Sequence, residues 1–157
     1  MKIIYFTILS FILCSCASSP HRMPSGEKIP EGVDTVVLAS NKSVNEFYIE
    51  LKKRAVKRGY HFVQTDKDTH LFVTEFEDTN KRTSVQFKVY IKGVKGGSNA
   101  VYSGKYIDLK KLKNKPHTRA QKIVYPGKGK AGRAGWEALH SFAVGAKKYK
   151  YTFTKRQ

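Results

Sequence analysis

Residues 85–91 constrain this chain more tightly than any other stretch. Val85, Phe87, Val89 and Ile91 alternate with Gln86, Lys88, Tyr90 and Lys92. A period of two puts every apolar side chain on one face of an extended strand and every polar one on the other. Gly93-Val-Lys-Gly-Gly-Ser-Asn99 then supplies a turn. Ala100 to Asp108 returns as the hairpin partner, with Tyr102, Gly104 and Tyr106 on one face. A hairpin with one apolar face needs a second layer to cover it.

The covering elements are legible on either side. Val33 to Ala39 is an apolar, β-branched run that reads as a central strand. Ser43 and Glu46 form a capping-box pair, and Val44, Phe47, Tyr48, Leu51 and Ala55 recur at helical spacing, with Gly59 as the stop. Lys52, Lys53, Lys57 and Arg58 fall off that stripe and read as a solvated face. Tyr60–Thr65 and His70–Glu77 alternate as further strands, the second with Phe72, Thr74 and Phe76 on one side. Ala134 to Val144 presents Trp136, Leu139, Phe142 and Ala143 on one helical stripe. Tyr149, Tyr151 and Phe153 alternate with Lys148, Lys150 and Thr152 in a last strand, whose lysines suit an exposed edge. The order implies an α+β two-layer sandwich, a mostly antiparallel sheet with two helices, over residues 31–157 as one domain.

Charge is the outlier of the composition. The chain carries 30 Lys plus Arg against 12 Asp plus Glu, a net +18. Residues 93–157 hold 16 of the basic residues and only Asp108 and Glu137 on the acidic side. Such an excess speaks to partners: anionic lipid, lipopolysaccharide phosphates, acidic glycan, an acidic protein or nucleic acid. It is densest in 109–133, where Lys110, Lys111, Lys113, Lys115, Arg119, Lys122, Lys128, Lys130 and Arg133 stand without a single acid. Pro116, Pro126, Gly127, Gly129 and Gly132 break regular structure there, so the stretch reads as a long basic loop that binds anions, with Ile123-Val124-Tyr125 as an apolar island docking it to the core.

The amino end follows another logic. Lys2 precedes an apolar run, Ile3 to Leu13, and small residues follow. That is a signal-peptide pattern, and the run is far short of the ~20 apolar residues that a permanent span needs. Leu13-Cys14-Ser15-Cys16 closes it. This quartet resembles the lipobox of bacterial lipoproteins, and the resemblance covers about the first 16 residues. It implies removal of residues 1–15 and acylation of Cys16 on its sulfur and amine. Residues 16–30, with three prolines, then read as a flexible tether between lipid and domain. After such cleavage no thiol remains for a disulfide, since Cys14 and Cys16 are the only cysteines. Ala17 and Ser18 follow Cys16 where a retention acid would stand, which by the habit of that family implies the outer membrane, facing the periplasm. The order of the lipobox, Val33–Ala39, the helix 44–58 and the strands to Asp108 also loosely resembles the outer-membrane lipoproteins that assist lipopolysaccharide assembly. Those bind lipid A phosphates through basic residues; no matched binding motif carries residue roles over.

Catalytic patterns are weak by comparison. Gly127-Lys-Gly-Lys-Ala-Gly132 spells G-x-G-x-x-G before a helix, but no strong strand precedes it and no acid follows about 20 residues on, so a dinucleotide site is disfavoured. Glycines and lysines at a helix start still suit a phosphate or sulfate. His61, His70, His117 and His140 are scattered, and no zinc motif appears. Glu75 and Glu77 share a strand face as a carboxylate pair, which solubility at a strand edge explains more cheaply. The expectation is a non-enzymatic protein without a cofactor. Nucleic acid is disfavoured as the partner, because the export signal takes the chain away from it.

Overall fold

A computed structural model describes residues 29–115, 117–145 and 149–155. The signal peptide, Cys16 and nearly all of the tether lie outside the described residues, as does Pro116. The chain runs β1 (Thr35–Ser40), α1 (Val44–Lys57), β2 (Phe62–Asp66), β3 (Leu71–Thr74), β4 (Glu77–Asn80), β5 (Thr83–Val94), β6 (Gly97–Asp108), α2 (Leu109–Asn114), β7 (Gln121–Lys122), α3 (Gly129–Val144) and β8 (Lys150–Thr154). This is an α+β fold with one antiparallel sheet, ordered β2-β3-β5-β6-β1-β8, to which β4 adds beside β5 and β7 beside β6.

The β5–β6 hairpin is its spine. Twelve residues pair with twelve, from Thr83↔Asp108 to Val94↔Gly97, so the turn narrows to Lys95-Gly96. The alternation seen in the sequence decides which face is dry. Val85, Phe87, Val89 and Ile91 on β5 and Ala100, Tyr102 and Tyr106 on β6 are buried, while Lys88, Tyr90 and Lys92 face out. α1 and α3 cover the dry face. α1 sets Phe47, Tyr48, Leu51 and Ala55 inward, and α3 sets Trp136, Leu139, Phe142 and Ala143 inward. Ile29 and Val33 join the same core, so the packed part reaches back to residue 29.

Local chemistry starts and seats the helices. Ser43 Oγ accepts from the Glu46 N–H at 3.3 Å, and Glu46 Oε2 accepts from the Ser43 N–H at 3.1 Å, so the capping box is closed both ways. Hydrogen bonds from the Ser43 hydroxyl and N–H hold the Glu46 carboxyl below its usual range. At the far end, Arg54 donates to the Phe142 carbonyl at 3.2 Å, and Arg58 donates to the Ser141 and Phe142 carbonyls at 3.1 and 3.2 Å. These carbonyls lie in the last turn of α3; the Ser141 carbonyl already accepts from the Gly145 N–H at 3.0 Å, and the guanidinium groups add charge-assisted bonds where the helix end carries partial negative charge. Arg58, expected on a solvated face, is thus committed to α3.

Several expectations change at their edges. The strand expected over His70–Glu77 stops at Thr74, and the chain leaves β3 for β4, so Phe72 and Thr74 are buried while Phe76 is 37% exposed. There are three helices among the described residues, not two, because Asp108 caps an extra one. α3 also begins five residues early, at Gly129, through a glycine-rich turn that intrinsic propensity disfavours. Packing decides it. A Cβ at Gly135 would stand 3.2 Å from Tyr106 Cβ, and Gly132 sits as close to the Tyr106 hydroxyl. Glycine on this face lets the first turns of α3 lie directly on β6.

Candidate anion-binding face

The acid-free stretch is not one loop. Asp108 ends β6, and its carboxylate accepts from the Lys110 and Lys111 N–H groups at 3.1 and 3.3 Å. That cap starts α2, which contributes Lys110, Lys111 and Lys113, all exposed, and buries none of its residues. Lys115 closes the helix with its N–H on the Lys111 carbonyl at 2.7 Å, and Thr118 folds back on the Lys115 carbonyl. Arg119 follows on irregular chain, exposed.

The apolar island then docks as expected. Gln121 and Lys122 form β7 against β6, with the Tyr106 hydroxyl on Gln121 Oε1 at 2.8 Å. Ile123 is fully buried and donates its N–H to the Gly104 carbonyl at 3.0 Å. A Cβ at position 104 would lie 2.9 Å from Ile123 Cδ1 and 2.8 Å from the Gln86 carbonyl oxygen, so this site needs glycine. The Tyr125 N–H donates to the Val33 carbonyl at 2.7 Å, and its own carbonyl accepts from the Gly32 N–H at 2.9 Å. The point where the chain enters the domain is therefore stitched to the middle of the basic stretch.

Lys128, Lys130 and Arg133 gather at the start of α3 and are exposed. No side chain caps this terminus and no acid sits in its first turn. Its free N–H groups and partial positive charge add to the three cations. Gly127 holds φ +84°, and a Cβ there would overlap the Gly132 backbone, so the turn folds tightly onto the helix. Beside it lies a cavity of about 520 Å³ lined by Gly32, Tyr106, Gln121, Lys122, Tyr125 and Lys128, with Glu31 at its wall. Of the G-x-G-x-x-G glycines, Gly127 and Gly132 thus serve close packing and Gly129 a turn at φ +66°, and what precedes them is the docked Ile123–Tyr125 segment, not a strand.

The nine cations fall into two groups: Lys110, Lys111, Lys113 and Lys115 around α2, and Lys128, Lys130 and Arg133 at the head of α3, with Arg119 between them. Lys122 has another task. Its ammonium pairs with Asp34, a carboxylate only 2% exposed that also accepts from the Thr35 hydroxyl at 2.8 Å. Lys122→Met should cost about 1–3 kcal/mol in urea unfolding, because it strips the cation from a buried carboxylate. The same change on an Asp34→Asn background should cost much less, and equal costs would show that the pair is not coupled.

No helix among the described residues is long and apolar enough to cross a membrane. The chain matches no family model and no curated protein.

Proposed function

We propose that this chain is a non-enzymatic lipoprotein of the cell envelope, tethered through acyl chains on Cys16 at the outer membrane and facing the periplasm, whose basic C-terminal half binds an anionic envelope component. The phosphates of lipids or lipopolysaccharide and acidic glycans share the chemistry required. One observation carries the reading. The run 109–133 spends its conformational freedom on docking through Ile123 and Tyr125, yet every one of its nine cations stays exposed. Lysines needed only for solubility do not require a rigid mount.

Two measurements test it. Mass spectrometry of the protein from its native membrane should show Cys16 at the amino end with diacylglycerol and acyl mass added; an unmodified sulfur there ends the tether reading. Co-sedimentation of a Cys16→Ser chain with vesicles containing anionic lipid should fall steeply between 0.05 and 0.5 M NaCl, as the screening length shrinks below the spacing of the charges. Binding indifferent to salt would count against a phosphate-type ligand.

A protein bound at the sheet edge is the second reading, with this chain as an accessory subunit of an envelope complex. β8 favours it: this strand pairs with β1 and stands last in the sheet, so its outer edge can take a further strand. Co-purification with one stoichiometric partner, unaffected by neutralising the lysines, would move the balance to it.

A further inference from the structure

The carboxylate pair singled out in the sequence gains a third member in the fold. His61 lies just before β2, Glu75 just after β3 and Glu77 at the start of β4. The Glu75 N–H donates to the His61 carbonyl at 2.9 Å, which sets the two residues side by side across the β2–β3 pair. Glu77 then returns its side chain to the same place, with Oε1 3.3 Å from His61 Nδ1. One ligand atom from each of the three residues falls within 4.8 Å of the other two. Among the described histidines, His61 is the one the fold places between two carboxylates.

The charge arrangement around this trio is unusual for so basic a chain. With 30 Lys and Arg available, neither Glu75 nor Glu77 is bridged by one among the described residues. Two neighbouring carboxylates repel each other, and here they converge on an imidazole nitrogen. A divalent cation relieves that repulsion and uses all three ligand atoms at once.

We propose that His61, Glu75 and Glu77 form a binding site for a first-row divalent cation, with zinc the favoured ion. One imidazole nitrogen and two carboxylate oxygens suit zinc, and the nitrogen selects against calcium and magnesium, which take oxygen ligands. In a tetrahedral shell with bonds of about 2.1 Å, ligand atoms stand about 3.4 Å apart. The three side chains reach that spacing by small rotations, which their exposure permits: the His61 side chain is 75% exposed and that of Glu77 35%. His61 and Glu75 also line a cavity of about 560 Å³ with Tyr60, Phe62, Gln64 and Lys52, which leaves room for water or a ligand oxygen to complete the shell.

Isothermal titration of the full chain, prepared without a histidine tag, with zinc chloride tests the site. One equivalent should bind in the micromolar range, and magnesium should give no heat at the same concentrations. His61→Gln, Glu75→Gln and Glu77→Gln should each weaken zinc by at least about 10-fold, while His117→Gln, at an exposed histidine outside the trio, should leave it unchanged. All three substitutions fall on the surface, and circular dichroism checks that each variant keeps the fold. Zinc affinity that survives all three changes, several equal sites, or no binding below millimolar zinc would each overturn the proposal.

Discussion

Phe142→Ala should remove about 3–5 kcal/mol of folding stability, the cost of deleting a large aromatic ring from a packed core. Phe142 stacks on Phe87 with ring centroids 4.5 Å apart and planes 16° apart, meets Tyr60 edge-on at 4.7 Å and touches the Tyr102 ring at 5.8 Å. One side chain therefore joins α3 to the hairpin and to the chain entering β2. Its removal forfeits dispersion contacts and burial on three sides, and neighbours held by strand pairing cannot close the gap. Aromatic pairs of this geometry add about 0.5–1.5 kcal/mol beyond area alone. Urea unfolding should show a lowered midpoint with an unchanged slope. Phe76→Ala, at a side chain in partial contact with solvent, should cost less than about 1 kcal/mol. Equal losses at the two positions would mean that the aromatic cluster does not organise this core.

Replacing Lys110, Lys111, Lys113 and Lys115 together with glutamine should weaken binding to anionic vesicles about 10³-fold. A basic residue close to an anionic surface contributes about 1 kcal/mol, and four of them about 4 kcal/mol. No acidic side chain pairs with any of the four among the described residues, so stability should move by less than about 0.5 kcal/mol. The Asp108 cap survives, since it rests on backbone N–H groups. Neutralising Lys52, Lys53, Lys57 and Lys92 instead removes the same formal charge from α1 and β5. If both quadruple variants lose affinity equally, net charge alone drives binding and α2 has no special part in it.

Strict alternation made the sheet readable. Val85 to Ile91 can bury its apolar set in only one way, and the capping box with the Phe47–Ala55 stripe left α1 little choice. The misses have physical causes. Asp108 does end the strand as read, but the same carboxylate also caps the N–H groups two and three places on and so starts α2, a helix of six residues with no apolar stripe to announce it. Gly127, Gly129 and Gly132 read as breakers, because propensity knows nothing of the tight turn at Gly127 or of the Tyr106 side chain against which Gly132 packs. Arg58 reads as solvated from its helical position alone, since the helix end that claims it lies more than 80 residues away in sequence. Two roles at the candidate sites were invisible for the same reason. Lys122 meets Asp34 only after segments far apart in the chain have packed, and His61 meets Glu77 only after the neighbouring strands β2 and β3 have paired.

The stitch between residues 32–33 and Tyr125 has a consequence for how the molecule works. It fixes the exit point of the amino-terminal segment beside Lys122 and Lys128. A lipid at the end of a short segment leaving there would hold those cations within a few nanometres of the headgroups. On the tether proposed above, capture of a phosphate would be an intramolecular step, governed by an effective concentration of about millimolar and not by the dilute bulk. Contacts too weak to hold a free protein suffice for one on such a leash, and they can let go and re-form without losing it.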